Sequence, residues 1–220
     1  MDYLKWRGDL TFSQDAFNEV DNLLLSYVAY VNLEGLSVGA GEEQVTLEEL
    51  SRRFFVLHSE EELAADKSFT RLAPYIVKMM AQSNRYRTSI ISNYVNMVNP
   101  QLELQFSAVQ LDLMDGSKNF CFRGTDDNIV AWKEDFNLGL GEVPAQKLAS
   151  EYLNRFGVGT SPIRVSGHSK GGNLAGYAAA ACKIEVQERI TEVYSNDGPG
   201  IVHEFVTSDS YKKIKNRIHR

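Results

Sequence analysis

A chain of 220 residues with 43% hydrophobic and 24% charged side chains has globular composition, which excludes a disordered or membrane-embedded protein. A formal net charge of -6, with no long basic block, argues against a nucleic-acid partner. The short cluster Lys212, Lys213, Lys215, Arg217 and Arg220 fits a solvated strand edge. No signal peptide opens the sequence and no run reaches the length of an integral membrane segment, so a cytoplasmic protein is expected. Cys121 and Cys182 each lie in apolar segments and read as small core residues rather than a disulfide or a metal pair.

After a mixed lead-in, a helix is expected from about Gln14 to Val31, with Ser13 as N-cap and Asp15 in the first turn. Phe17, Val20, Leu24, Tyr27, Val28 and Val31 recur at helical spacing and form its core face. Gly35 to Gly41 is a break. Thr46 with Glu49 then makes a capping box, followed by Leu47, Leu50, Phe54 and Leu57 on one side. His58 is close to Glu60, Glu61 and Glu62, but consecutive carboxylates do not share a helix face. A solvated acidic helix start explains them better than a metal site. A third helix is expected over Thr70–Asn84 and a strand over Thr88–Val98. The helical character gives way near residue 85, dividing a helical N-terminal extension (1–85) from a core of strands and helices (86–220).

In the core, alternation from Leu102 onward and the turn signal Asp115-Gly116 predict a hairpin of Leu104–Leu113 with Lys118–Phe122. Arg123-Gly124-Thr125-Asp126-Asp127 closes its second strand. A helix begins at Pro144 and stops before Gly157. Strands are expected at Ile163–Val165, Thr191–Asn196 and Lys212–Arg220, with a short helix over Ile201–Phe205. Strands joined through helices imply an α/β fold with a mainly parallel sheet and helices on its faces. Gly124-Thr125, Gly167-His168-Ser169 and Asn196-Asp197-Gly198 would then gather at the carboxyl ends of the strands.

The segment Val165-Ser166-Gly167-His168-Ser169-Lys170-Gly171-Gly172 has the strand, Gly-x-Ser-x-Gly turn and helix of a serine nucleophile elbow. Glycines two positions either side of Ser169 remove Cβ atoms that would clash in so sharp a turn. The hydroxyl would stand at the positive end of the following helix, and the Lys170 amide would point where an oxyanion forms. Gly172, Ala175, Gly176 and Ala178–Ala181 let that helix pack close to a sheet.

Taken in order, Phe122-Arg123-Gly124-Thr125, Trp132 with Asp135, Gly167-His168-Ser169-Lys170-Gly171-Gly172 and Gly198-Pro199 resemble the class 3 (fungal-type) lipase branch of the α/β-hydrolases. The fuller motifs FRGTDD, WKEDFN, GHSKGGNLA and NDGPG resemble a bacterial lipase-like family. The resemblance covers roughly residues 104 to 220. It implies Ser169 as nucleophile, with Thr125 and the Lys170 amide as the oxyanion hole. Trp132 and Asp135 match a segment near the lipase lid and read as structural. Lipases of this type usually carry leucine where Lys170 stands, so a charge is expected beside the nucleophile. Asp126 and Asp127 put carboxylates by the oxyanion hole, which is unusual for a pocket receiving an acyl chain.

A serine nucleophile needs a base and an orienting carboxylate, and this fold takes them in the order Ser, Asp or Glu, then His. His58 precedes Ser169, His168 adjoins it and should turn away, and His219 lies in the last strand. His203 as base with Asp197 as acid is the downstream pair, but His203 falls on the helix after Gly200, outside the usual place. In similar lipases the acid and base follow the strand matching Lys212–Arg220, so the chain is expected to stop before them. The sequence therefore predicts a serine ester hydrolase acting on a small ester or lipid-like substrate, without metal or cofactor. The alternatives are a catalytically silent hydrolase scaffold that binds or regulates, and a peptidase or thioesterase on the same scaffold.

Overall fold

Connection length decides the direction of most of the strands. The computed structural model describes residues 2–102, 104–125, 138 and 141–220. Their strands form one seven-stranded sheet, ordered in space as in sequence: β1 (Val45–Thr46), β2 (Ile90–Asn99), β3 (Leu104–Asp112), β4 (Lys118–Phe122), β5 (Ile163–His168), β6 (Ile190–Asn196) and β7 (Ile218–His219). The pairs from β1 to β4 are antiparallel and those from β4 to β7 parallel. The expected mainly parallel sheet is thus corrected to a mixed one. A single 3-10 turn, Pro100–Leu102, joins β2 to β3, and a turn with Gly116 at φ 83° joins β3 to β4. Links this short can only reverse the chain. Beyond β4, helices α6 (Pro144–Phe156), α7 (Lys170–Ala181), α8 (Ile184–Gln187), α9 (His203–Val206) and α10 (Asp209–Ile214) intervene and return the chain to the same end.

The sheet carries a core on each face. Phe106, Phe120, Phe122, Val165 and Val193 pack with α6, α7 and α10. Ile91, Val109, Leu111 and Cys121 pack on the other side. They meet the helices α1 (Asp2–Arg7), α2 (Glu19–Val28), α3 (Leu47–Leu57), α4 (Glu60–Ala65) and α5 (Ala73–Ala81). Covered on both faces, β3 reads as a nearly continuous buried run. Cys121 and Cys182 are free and buried.

Two of the differences from expectation are set by helix caps. Helix α2 is capped by Asn18, not Ser13: Asn18 Oδ1 accepts from the amides of Val20 and Asp21, while Asp21 Oδ2 accepts from the Asn18 amide at 2.9 Å. The stretch from Lys212 is helix before it is strand. Ser208 caps α10 through the Tyr211 amide, and Tyr211 and Ile214 bury one side of that turn, leaving Ile218–His219 as strand.

Asp21 also anchors the N-terminal layer. Arg85 Nε and Nη2 donate to its two oxygens at 2.6 and 2.5 Å, and the hydroxyls of Tyr86 and Tyr3 bond to Oδ1. Both partners of this ion pair are fully buried. Arg85 Nη1 and Nη2 further donate to the carbonyls of Asp15 and Ala16 at 2.9 and 3.1 Å. Burial opposes the Arg85 charge, but the Asp21 carboxylate outweighs it and raises the guanidinium pKa.

Candidate active site

Between β5 and α7, Ser169 takes φ 55° and ψ -128°. A serine held there costs on the order of 1–3 kcal/mol, which the surrounding structure must impose. It does so from both sides. The Ser169 amide donates to Asn196 O at 2.9 Å, and the Ser169 carbonyl accepts from the Gly172 amide at 2.8 Å. A Cβ on Gly167 would collide with the Gly171 carbonyl, and a Cβ on Gly171 would stand 2.9 Å from the Phe122 carbonyl carbon. The flanking glycines therefore let α7 start directly against β4 and β5.

Lys170 opens α7, and first-turn amides point out of a helix N-terminus. Its side chain goes the other way. Only 1% of Lys170 is exposed, and Nζ donates to the Gln105 carbonyl at 2.9 Å and to Gln105 Oε1 at 3.4 Å. The charge expected beside the nucleophile is thus led inward to β3, because the side chain after the elbow serine faces the sheet.

The segment after β4 passes over the elbow. A Cβ on Gly124 would lie 2.5 Å from the His168 carbonyl oxygen and 3.3 Å from Ser169 Cβ. Glycine alone permits this approach, and it brings half-buried Thr125 to the next position. Arg123 is buried, with its amide on Ser107 O at 2.9 Å and Nη2 on Asn96 Oδ1 at 3.0 Å. Asp126, Asp127, Trp132 and Asp135 lie outside the described residues.

At the end of β6, Asp197 is exposed with φ 50°. A Cβ on Gly172 would meet Ser195 Oγ at 2.9 Å and Gly198 Cα at 3.1 Å, so the loop after β6 rests on the start of α7. Buried Asn173 locks it there. Its Nδ2 donates to the carbonyls of Gly200 and Pro199 at 2.9 and 3.3 Å, and its Oδ1 accepts from Gln146 Nε2 of α6 at 2.8 Å.

The imidazoles are spread over the molecule. His58 packs on Phe54, with Nδ1 3.6 Å from Glu62. His203 is exposed on α9. His219 stacks on Tyr194 with ring centres 4.8 Å apart. His168 turns to Tyr30, whose hydroxyl lies 3.0 Å from Nδ1. Among the described residues, which include all four histidines, no imidazole is hydrogen-bonded to the Ser169 hydroxyl. Among them, too, no group of three His, Cys, Asp or Glu side chains could hold a metal ion.

Two residues that sequence reasoning assigned no part reach this site from the N-terminal layer. Tyr30 meets His168, and Asn22 Nδ2 donates to Asn196 Oδ1 at 2.8 Å. Nothing local in the sequence marks either one. Both lie in or just beyond a helix whose pattern shows only an apolar face.

A sheet with an elbow serine at a strand's carboxyl end, and a helix packed behind it through small residues, defines a lipase-like α/β scaffold. The chain belongs to the Mbeg1-like family, whose model matches residues 80–220. Its fold is similar to that of the crystal structure of M37 lipase, with a TM-score of 0.51 at 14% identity over 93% of this chain. The chain spans 66% of that lipase's length. No curated protein sequence matches it. Among the described residues no helix is long and apolar enough to cross a membrane.

Proposed function

We propose that the protein is a lipase-type serine ester hydrolase acylated on Ser169, acting on a small ester or lipid-like substrate. The observation that carries this is the backbone of Ser169 at φ 55°, held between β5 and α7. The Gly124-Thr125 segment passes beside this strained serine, with a Cβ on Gly124 only 3.3 Å from Ser169 Cβ. Thr125 and the Lys170 amide are the proposed oxyanion donors. Ester cleavage through an acyl-enzyme needs neither metal nor organic cofactor. The base is not assigned to any of the four imidazoles. The downstream pair, His203 with Asp197, is exposed on α9 and on the loop after β6.

A fluorophosphonate probe followed by peptide mass spectrometry tests the proposal. Covalent labelling should map to Ser169 and vanish in Ser169→Ala. Esters, thioesters and peptides offered side by side then define the substrate class. The second reading, a hydrolase scaffold that binds without turnover, is favoured by the absence of an imidazole bonded to Ser169 among the described residues. Folded protein that never labels on Ser169 would establish it.

A further inference from the structure

We infer that Asn22 is a positioning residue for the Ser169 site, setting the elbow from the opposite layer of the fold through Asn196. The inference rests on the reading of Ser169 as nucleophile and adds to it the group that fixes that serine's backbone from outside β5 and α7.

Two hydrogen bonds connect α2 to the elbow, and Asn196 accepts both. Its Oδ1 accepts from Asn22 Nδ2 at 2.8 Å, and its backbone carbonyl accepts from the Ser169 amide at 2.9 Å. Asn196 ends β6, so its placement decides where the Ser169 amide finds its acceptor. The chain then turns at once: Asp197 has φ 50°, and residues 198–200 come to rest on the first turn of α7. Asn22 is itself firmly held. It is buried, and it follows Asp21, whose carboxylate the Arg85 guanidinium grips.

Stability does not account for this pair of amides. Asn22 Oδ1 and Asn196 Nδ2 are buried and have no hydrogen-bond partner among the described residues. Turning both amides round leaves the other nitrogen and oxygen over, and turning one sets like atoms together. One donor and one acceptor therefore stay unpaired whichever way the amides lie, and each subtracts from stability. Two apolar side chains of the same shape would be nearly neutral there or better. What the amides supply is direction. A hydrogen bond holds Asn196 at one distance and angle from α2, where apolar contact would let it slide.

The link acts on the chemistry through geometry. Ser169 sits at φ 55°, a backbone state that persists only while its neighbours impose it. The Asn196 carbonyl is one of those constraints. A displacement of about 1 Å can cost roughly 10²-fold in rate, because nucleophile and oxyanion donors no longer meet the acyl group in line. Asn22 contributes no reacting atom and acts on Ser169 only through Asn196.

Leucine has nearly the shape of asparagine without its polar atoms, so Asn22→Leu, Asn196→Leu and the double variant form a cycle. In Asn22→Leu, fluorophosphonate labelling of Ser169 and kcat for a p-nitrophenyl ester should each fall by roughly 10- to 10²-fold, with KM little changed. The double variant should lose no more activity than Asn22→Leu alone, since each substitution removes the same link. Its Tm should equal or exceed that of the wild type. Wild-type rates in folded Asn22→Leu, a rise in KM alone, or losses that multiply in the double variant would overturn the inference while leaving Ser169 as nucleophile. So would a double variant without a thermal transition, because the pair would then be holding the fold. If Asn22→Leu alone does not fold, the double variant, which strands no amide, carries the test, and wild-type labelling in it would overturn the inference. Wild-type protein that is folded but never labels on Ser169 would overturn both readings.

Discussion

Gly167 and Gly171 touch backbone to backbone: a Cβ on Gly167 would lie 2.8 Å from Gly171 Cα and closer still to its carbonyl. The contact lets α7 begin against β5, and it holds Ser169 at the turn between them. Gly167→Ala must push the helix from the strand, at a cost of about 1–3 kcal/mol for overpacking. For a chain of this length that is a fall in Tm of roughly 2–4 °C per kcal/mol. Gly200→Ala is the control, because nothing lies within 4 Å of a Cβ there. Calorimetry should show a lowered Tm for the first and none for the second.

Thr125 follows the glycine that lies against the elbow. If Ser169 is acylated as proposed, Thr125→Val should reduce turnover by roughly 10²-fold, as for one lost oxyanion donor, with circular dichroism unchanged. Full turnover in a folded variant would remove Thr125 from the mechanism.

Asp21→Ala should be far more damaging to stability than a surface change. It strands the buried Arg85 guanidinium and leaves the hydroxyls of Tyr86 and Tyr3 without their acceptor. Removing one partner of a buried pair costs about 3–5 kcal/mol. Urea unfolding should show that loss in the midpoint with a similar slope. Replacing both partners by apolar residues should not restore stability, because Arg85 also serves the carbonyls of Asp15 and Ala16.

Burial pushes the thiols of Cys121 and Cys182 up to about 12. An unfolded thiol ionises near ~8.5. The folded pKa is the raised one, so above about pH 8.5 the unfolded state has released protons that the folded state still holds. The stabilisation is therefore complete below that pH and is lost as pH climbs toward the folded value. Burial raises Tyr86 and Tyr152 as well, and they add in the same direction. Urea midpoints should fall between about pH 8 and about pH 10, less steeply in a Cys121→Ala, Cys182→Ala variant. Native protein should resist a thiol reagent at about pH 8 and react once unfolded.

Local backbone rules made part of this molecule legible from its residues alone. Asp115-Gly116 placed the β3–β4 hairpin, because a tight reversal needs a residue that accepts positive φ. Pro144 and Gly157 bounded α6 by the asymmetry of helix ends. The glycines around Ser169 placed the elbow, because sterics two residues either side decide whether so sharp a turn can form. Contacts between distant segments were settled only by tertiary packing. Asp21 carries no mark in the sequence, yet its main partner is Arg85, 64 positions away. Lys170 looks like a charge beside a nucleophile until the sheet shows its side chain facing Gln105. The antiparallel half of the sheet depends on which neighbour β2 finds, and Tyr30 and Asn22 reach the elbow only because α2 lies across the strand ends. Periodicity states which face of a helix is apolar; which loop its remaining side chains meet depends on how whole layers dock, and no local spacing carries that information.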